Sequence, residues 1–236
     1  MRPAVFAASS AAAREVTVTS AGVHERVRRL VAEDLRPVKP LRSPGRRALL
    51  VTPFALLIAL LAASRYGWRE DFDQLGPVIT WGFSALQWTL GLFVLALGLR
   101  EAIPGGSMSR RTFLAAATLT AAAIAVITVV TYAAHPTFVP PALAWPMWYE
   151  CFLGPLELGT PILIVATVLA ARALPTRPTR VGALSGLAAG LITDSGWRLT
   201  CWITVPAHVL GTHALAVATL VVIGAGVGAM VDRLRS

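Results

Sequence analysis

The chain has few charged residues and only two cysteines. The first shortage excludes an ordinary soluble domain, and the second leaves no Cys-x-x-Cys redox motif. Only 14% of its 236 residues are charged, 56% are hydrophobic, and the mean hydropathy is +0.66. A soluble domain carries about 25% charged residues, so this composition excludes one and indicates a membrane protein. The two cysteines form no Cys-x-x-Cys motif, and neither a dinucleotide-binding nor a phosphate-binding glycine loop is present.

Apolar residues are concentrated in six runs, each long enough to cross a bilayer. About 20 helical residues span the ~30 Å of hydrocarbon. The runs are continuous rather than alternating, which favours helices over a β-barrel. The sequence therefore predicts an all-α membrane protein, with a six-transmembrane-helix bundle over residues 47–231. We place the spans near residues 47–65, 76–99, 112–134, 149–171, 181–202 and 207–231.

The 21 basic residues are shared unequally between the two sides of such a bundle. Positive charge is retained on the cytoplasmic side of a membrane. With both termini in the cytoplasm, 18 basic residues fall on that side and only Arg65, Arg69 and Arg198 on the other. We therefore expect cytoplasmic N and C termini, the latter as a short tail over residues 232–236. Because the basic residues flank the spans, topology explains them, and we expect no direct contact with nucleic acid.

A short cytoplasmic arm precedes the first span. Within residues 23–35, apolar residues recur at i, i+4, i+7 and i+8, which predicts a three-turn amphipathic helix that Pro37 ends near Leu35. The helix either lies on the membrane surface or docks in a groove of a cytosolic protein. The residues slightly favour the protein, since the stripe lacks aromatics and neighbouring acidic groups oppose anionic lipid. Residues 1–22, rich in Ala, Ser and Thr, predict a disordered extension.

Few ionisable residues lie within the predicted spans. Charges inside a bilayer are costly and usually face the bundle interior in pairs. Asp194 and Arg198 are one helical turn apart, which predicts an ion pair. Glu157 lies two turns into the fourth span, and we expect Asp194 and Glu157 to hold spans four and five in register. The inner half of the spans has no further charged groups, which argues against a transporter.

Glycines recur at four-residue spacing in the last two spans. Gly182, Gly186 and Gly190 form one such row, and Gly224 and Gly228 form another. Small residues in rows let two helix backbones approach closely. The rows favour a static packing seam over a mobile interface.

Cys151 and Cys201 lie at similar depth, near the outer ends of spans four and five. The pattern is equally typical of a redox- or metal-responsive pair and of two inert buried thiols. His208 and His213 begin the sixth span close by, yet a spacing of five positions does not place both on one face of an α-helix. We therefore expect no metal and no cofactor, with the two histidines as weak candidates for ligands.

The order of several motifs resembles a known family. Leu-Arg-Pro-Val-Lys-Pro-Leu-Arg at residues 35–42 precedes the spans, and Glu150-Cys-Phe-Leu and Leu174-Pro-Thr-Arg-Pro follow. A glycine-rich run, Cys201, and a Pro-x-His-Val-Leu segment from Pro206 come last. Together they resemble the NrsF-like family of six-span membrane anti-sigma factors. These proteins hold extracytoplasmic-function (ECF) sigma factors inactive at the bacterial inner membrane.

The resemblance implies that residues 23–46 are a sigma-binding arm and that Cys151 and Cys201 respond to a signal. It implies a multi-pass inner-membrane regulator, not an enzyme, whose partners are an ECF sigma factor and the lipid bilayer. An envelope or stress signal would release the sigma factor. Two alternatives are a membrane thiol oxidoreductase, which would need a tuned Cys-x-x-Cys pair, and a small transporter. The implied sigma-binding residues are Val23, Arg26, Val27, Leu30, Val31, Leu35, Pro37 and Val38.

Overall fold

The structure is a computed structural model that describes residues 20–34 and 40–234, with side chains except at residues 20–23, 34 and 141–144. It divides into two units, Met1–Pro40 and Leu41–Ser236. Every regular element in the described residues is helical, which confirms the all-α prediction. The elements are α1 (Ser20–Asp34), α2 (Pro44–Leu49), α3 (Thr52–Tyr66), α4 (Phe72–Pro77), a first π-helical segment (Val78–Gly82), α5 (Phe83–Glu101), α6 (Arg110–Ala134), α7 (Pro141–Ala171), α8 (Pro178–Trp197), α9 (Pro206–His208), a second π-helical segment (Val209–Ala214) and α10 (Leu215–Arg233).

The described part of the first unit is α1 and Pro40. Its side chains at residues 24–33 are all exposed, and Val27, Leu30 and Val31 are 52%, 60% and 55% exposed. The structure therefore has a helix where the sequence predicts one, although it begins at Ser20, inside the predicted extension. Residues 1–19 lie outside the described residues. So do three of the predicted sigma-binding residues, namely Leu35, Pro37 and Val38.

Five helical stretches of the second unit are long and apolar enough to cross a membrane, as in a multi-pass membrane protein. Each overlaps one predicted span. Large apolar side chains are exposed on all five, as expected where lipid replaces water. Examples, one from each stretch, are Leu57, Phe93, Val129, Ile164 and Val222. The stretches are Pro44–Tyr66, Phe72–Glu101, Arg110–Ala134, Trp145–Ala171 and Pro206–Arg233.

Helix α8, which overlaps the fifth predicted span, is not among these five stretches. It packs against α3, α5, α7 and α10, and 16 of its 20 residues are buried. Because protein surrounds it, α8 accommodates glycine, serine, threonine and aspartate that lipid would disfavour. The helix ends at Trp197, so Cys201 lies beyond the turn that follows, not inside a span running to residue 202.

Glycines let the backbones of α8 and α10 lie in close contact. A Cβ atom on Gly182 would overlap the carbonyl oxygen of Gly224, and one on Gly186 would overlap that of Leu220. Gly228 in turn faces the carbonyl of Pro178. The glycine rows therefore do pack α8 closely against α10, as the sequence predicts, while the static character of the seam stays a prediction.

Three loops are joined to one another at one end of the bundle. Gly67, with φ of +80°, ends α3, and two residues later the N–H of Arg69 donates to the carbonyl of Leu199 at 3.0 Å. The loop after α6 meets the segment after α8, because the N–H of Thr204 donates to Thr137 Oγ1 at 2.9 Å. These bonds hold the ends of α3, α6 and α8 together, and the candidate site lies beside them.

Candidate functional site

The two cysteines lie side by side. Cys151 is buried on α7, and Cys201 is partly exposed beyond the end of α8. Both are free thiols, and their Sγ atoms are 3.5 Å apart. The structure thus brings together the two residues that the sequence places at equal depth, while their role in signal response stays a prediction.

Two histidines complete a group of four around these thiols. Nε2 of His208 lies 3.6 Å from Sγ of Cys201, and the rings of His208 and His213 are 5.5 Å apart between centroids. One ligand atom from each of Cys151, Cys201, His208 and His213 lies within 4.8 Å of the other three. We call these four residues the Cys/His quartet.

The expectation that the two histidines face different ways is wrong, because the helix between them is not an α-helix. Residues five apart differ by about 140° around an α-helix. Residues Val209–Ala214 form a π-helix, whose i→i+5 hydrogen bonds widen the turn and bring such residues to the same side. The sequence shows no feature that distinguishes this segment from the α-helix around it.

A buried hydrogen-bond chain connects the quartet to the centre of the bundle. Nδ1 of His213 donates to Oδ1 of Asp194 at 2.7 Å, and Nε2 of Gln87 donates to Oδ2 of Asp194 at 2.6 Å. Oε1 of Gln87 accepts from Nε of Arg198 at 3.2 Å. All four side chains are at least 90% buried. We call these four residues the Asp194 chain, and it joins α5, α8 and the second π-helical segment.

The Asp194 chain corrects the predicted ion pair. Among the described residues, Asp194 and Arg198 form no ion pair within 4.0 Å, and the amide of Gln87 bonds to both instead. The amide supplies one donor and one acceptor, so it satisfies a carboxylate and a guanidinium together. The only sequence signal for Gln87 is that it is a lone amide in an apolar span.

The structure does not bring Glu157 to Asp194. The side chain of Glu157 is exposed, and it forms no hydrogen bond or ion pair within the part of the chain that the structure describes. On α7 it is Cys151 and Gly154 that face the interior, where Gly154 meets the ring of Trp197. The register of α7 against α8 is therefore set by packing and by the thiol contact.

An ion pair that the sequence analysis did not identify lies close to this site. The guanidinium of Arg69 donates to both carboxylate oxygens of Asp71, at 2.7 and 2.9 Å, and to the carbonyl of Arg198 at 3.1 Å. Both side chains are buried. Two opposite charges in a short loop are the only sequence signal. The pair satisfies a carbonyl at the C-terminal end of α8, which a helix leaves without an internal partner.

A cavity of about 160 Å³ leads from the surface to the thiols. Cys151 and Cys201 line it, and Glu70, Glu150 and Met147 also contribute to its walls. Trp197 is buried and also lines this cavity, and its ring meets the ring of Tyr66 edge-on with 4.7 Å between centroids. The site is therefore accessible from one end of the bundle.

A second buried polar group lies at the opposite end. Oε2 of Glu101, the last residue of α5, accepts from the N–H of Met108, and Arg177 lies 3.8 Å from its other oxygen. Fourteen residues of α5, about 21 Å of helix, separate Glu101 from Gln87. The interior face between them carries Val94, Leu95 and Leu99.

Comparison with known proteins gives one match. A family model described as NrsF, negative regulator of sigma F, matches residues 31–233. The matched stretch includes the Cys/His quartet and the Asp194 chain, and it begins within α1, just after Leu30. Searches of the curated proteins and of the solved structures found no significant match.

Proposed function

Because this chain belongs to the NrsF family of negative regulators of sigma F, we propose that it is a membrane-bound anti-sigma factor for an ECF sigma factor. A negative regulator of this kind has a sigma factor as its partner. Five helical stretches that can cross a membrane make the bilayer its second partner. The proposal adds that the sigma factor is of the ECF class, that it is held at the inner membrane, and that a signal releases it.

The proposed topology has six spans and cytoplasmic termini, with α8 as the fifth span. An even number of crossings returns the chain to the side where it begins. The distribution of 18 basic residues on one side and three on the other supports this orientation. Although α8 is not apolar, its neighbours shield it from lipid, so its composition is compatible with a crossing.

The observation that carries the proposed binding role is the exposed stripe on α1. Val27, Leu30 and Val31 present apolar side chains that are each more than half exposed. A short helix of this kind binds by laying its apolar face into a groove of its partner. Arg26, Arg28 and Arg29 lie on the same helix and would accelerate encounter with an acidic surface.

The complete proposed contact set extends beyond α1. The sequence after the helix contains Pro37 and Pro40, and proline disfavours a helical conformation in the residue before it, which would suit an extended segment in a surface groove. The set consists of Val23, Arg26, Val27, Leu30, Val31, Leu35, Pro37 and Val38.

A sigma factor bound in this way would be kept from RNA polymerase and from promoter DNA. Release requires a signal that favours one packing of the bundle over another, because a ligand shifts an equilibrium only by its differential affinity for the two states. Cys151 and Cys201 are the proposed signal-sensing residues, and Asp194 and Arg198 couple them to the helices. The buried face of α5 between Gln87 and Glu101 carries only glycine and aliphatic residues, which disfavours the transporter alternative.

Leu30→Asp tests the binding role, with Ala32→Asp as its matched control. Both place the same carboxylate on exposed positions of α1, but residue 32 lies on the opposite face from the stripe. Full-length tagged chain is purified from membranes of its own host, and the co-purified sigma factor is quantified. We expect the amount of sigma factor retained by Leu30→Asp to fall at least about tenfold, as for loss of an interface anchor. Ala32→Asp should retain the wild-type amount.

Equal retention by Leu30→Asp and wild type would contradict the arm model. Equal loss in both variants would show that charge anywhere on α1 matters and that the stripe does not. Membrane insertion of every variant is measured in the same preparation, so that loss of the bundle cannot imitate loss of binding.

A further inference from the structure

We propose that the Cys/His quartet binds one soft or borderline metal ion, and that Asp194 positions His213 as a ligand. The binding site stands on its own geometry. Its use as the signal that releases a sigma factor rests on the proposed function.

The distances in the quartet fit a tetrahedral ion. With bonds of about 2.0–2.3 Å to nitrogen and sulfur, ligand atoms of such a site lie about 3.3–3.8 Å apart. The Sγ–Sγ distance of 3.5 Å and the Cys201 Sγ to His208 Nε2 distance of 3.6 Å already meet this requirement. The widest separation among the four is 4.8 Å, so an ion would draw the remaining atoms together by about one ångström.

Two ring nitrogens of the quartet, Nδ1 of His208 and Nε2 of His213, have no hydrogen-bond partner among the described residues, and the second has the geometry of a ligand. Nε2 of His213 is buried. Its other ring nitrogen, Nδ1, donates to the carboxylate of Asp194 at 2.7 Å. A carboxylate accepts and does not donate, so Nδ1 carries the proton and the lone pair of the neutral ring is at Nε2. A carboxylate behind a histidine in this way orients metal-ligating imidazoles in many sites.

The ligand set determines the class of ion. Two thiols and two imidazoles exclude a preference for magnesium or calcium, which take oxygen ligands, and favour zinc or copper(I). Binding displaces the two thiol protons into solvent, and two thiolates neutralise a divalent ion. Within the described residues, the Asp194 chain contains one carboxylate, on Asp194, and one guanidinium, on Arg198, whose charges cancel. A divalent ion bound by two thiolates therefore adds no net charge to these buried side chains. Zinc is therefore the ion we expect.

The cavity provides an access path to the quartet. It opens at the surface, reaches both thiols, and includes Glu70, Glu150 and Met147 in its wall. Carboxylates attract a hydrated cation, and a thioether is a further soft ligand for transfer. No separate opening of the bundle is required for an ion to reach Cys151 and Cys201.

An ion at this site would tie three elements together. Cys151 belongs to α7, Cys201 to the segment after α8, and the histidines to the start of the last span. Asp194 extends the connection to Gln87 on α5. Occupancy would therefore favour the packing in which α7, α8 and the last span meet at this end, which is the differential contact that a switch requires.

Metal binding to the full-length protein in detergent, under reducing conditions, tests the proposal. Zn²⁺ is titrated against a competing chromophoric chelator, and Co²⁺ is used as a spectroscopic substitute that reports thiolate ligation. We expect one Zn²⁺ per chain and a sulfur-to-cobalt charge-transfer band. His24→Gln, on exposed α1, is the control and is expected to bind as wild type does. Cys201→Ser and His213→Gln are expected to lose the tight site.

Asp194→Asn separates positioning from simple structural support. We expect it to keep one ion per chain and the cobalt band, while its Zn²⁺ affinity falls roughly 10- to 100-fold, as for loss of a group behind a ligating histidine. Wild-type protein without a tight site or without the band would overturn the proposal, and so would Cys201→Ser binding as tightly as wild type. These results leave the sigma-factor test with Leu30→Asp untouched, so failure of one is distinguishable from failure of the other.

Discussion

Helices α1 and α8 share one property and differ in nearly everything else. Neither belongs to the five stretches that are long and apolar enough to cross a membrane. Yet every described side chain of α1 between residues 24 and 33 is exposed, whereas 16 of the 20 residues of α8 are buried. The lesson is that a helix covered by protein, such as α8, can be less apolar than a helix that faces lipid, so it falls short of the hydropathy expected of a span.

The comparison also separates two uses of a helix. The residues of α8 are satisfied within the bundle, by glycine contacts with α10 and by the Asp194 chain. The apolar stripe of α1 is exposed, so an unsatisfied apolar surface remains for a partner. Substitutions at the packed apolar and glycine positions of α8 should therefore act on folding, and substitutions in the stripe of α1 should act on binding alone.

The largest effect is expected where α8 and α10 are closest. Gly186→Leu places a side chain on the carbonyl of Leu220, and the two backbones would have to separate. We expect loss of the folded bundle, because the atom in the way belongs to the backbone of α10 and cannot move aside as the end of a flexible side chain can. Gly226→Leu is the control, because a Cβ atom there meets nothing within 4 Å. Monodisperse elution in detergent and helix content measure the difference, and a folded Gly186→Leu protein would contradict the seam.

A smaller loss is expected from Leu191→Ala in α8. Leu191 is fully buried, and truncating a buried leucine costs about 2–5 kcal/mol through lost contacts and the cavity left behind. Thermal unfolding in detergent should show a clearly lowered midpoint. An unchanged midpoint would mean that α8 is less tightly packed than its burial indicates.

The smallest effect on stability is expected from the same substitution in α1. Leu30→Ala removes a side chain that is 60% exposed, so the free energy of unfolding should change by no more than about 0.5 kcal/mol. The thermal midpoint of the bundle should equal that of wild type while sigma-factor retention falls. A midpoint lowered as far as in Leu191→Ala would contradict the division between the two helices.

Much of the fold follows from the sequence because lipid imposes a simple rule on it. Long apolar runs predict the five spans near their observed bounds, and the glycine rows predict the α8–α10 seam. The stripe of α1 is equally readable, since a 3.6-residue period fixes which of its residues share a face. The apolar run at residues 181–202 also locates α8. That α8 is covered by protein can be seen only from the helices that surround it in the structure.

The candidate site is only partly readable because it depends on local geometry and on partners distant in sequence. The closeness of Cys151 and Cys201 is predicted from their similar depth in the membrane spans alone. That of His208 and His213 is not, because an α-helical period misplaces them where the chain forms a π-helix. Gln87 bonds to a residue 107 positions away, and no local pattern indicates that contact.

The most direct test of the anti-sigma account is photo-crosslinking from α1 in living cells. A photoreactive amino acid replaces Val27, on the exposed stripe, or Ala32, on the opposite face, and the adducts are identified by mass spectrometry. The account predicts a covalent adduct with an ECF sigma factor from position 27 and little or none from position 32. Adducts with lipid alone from position 27, or equal sigma-factor adducts from both positions, would contradict it.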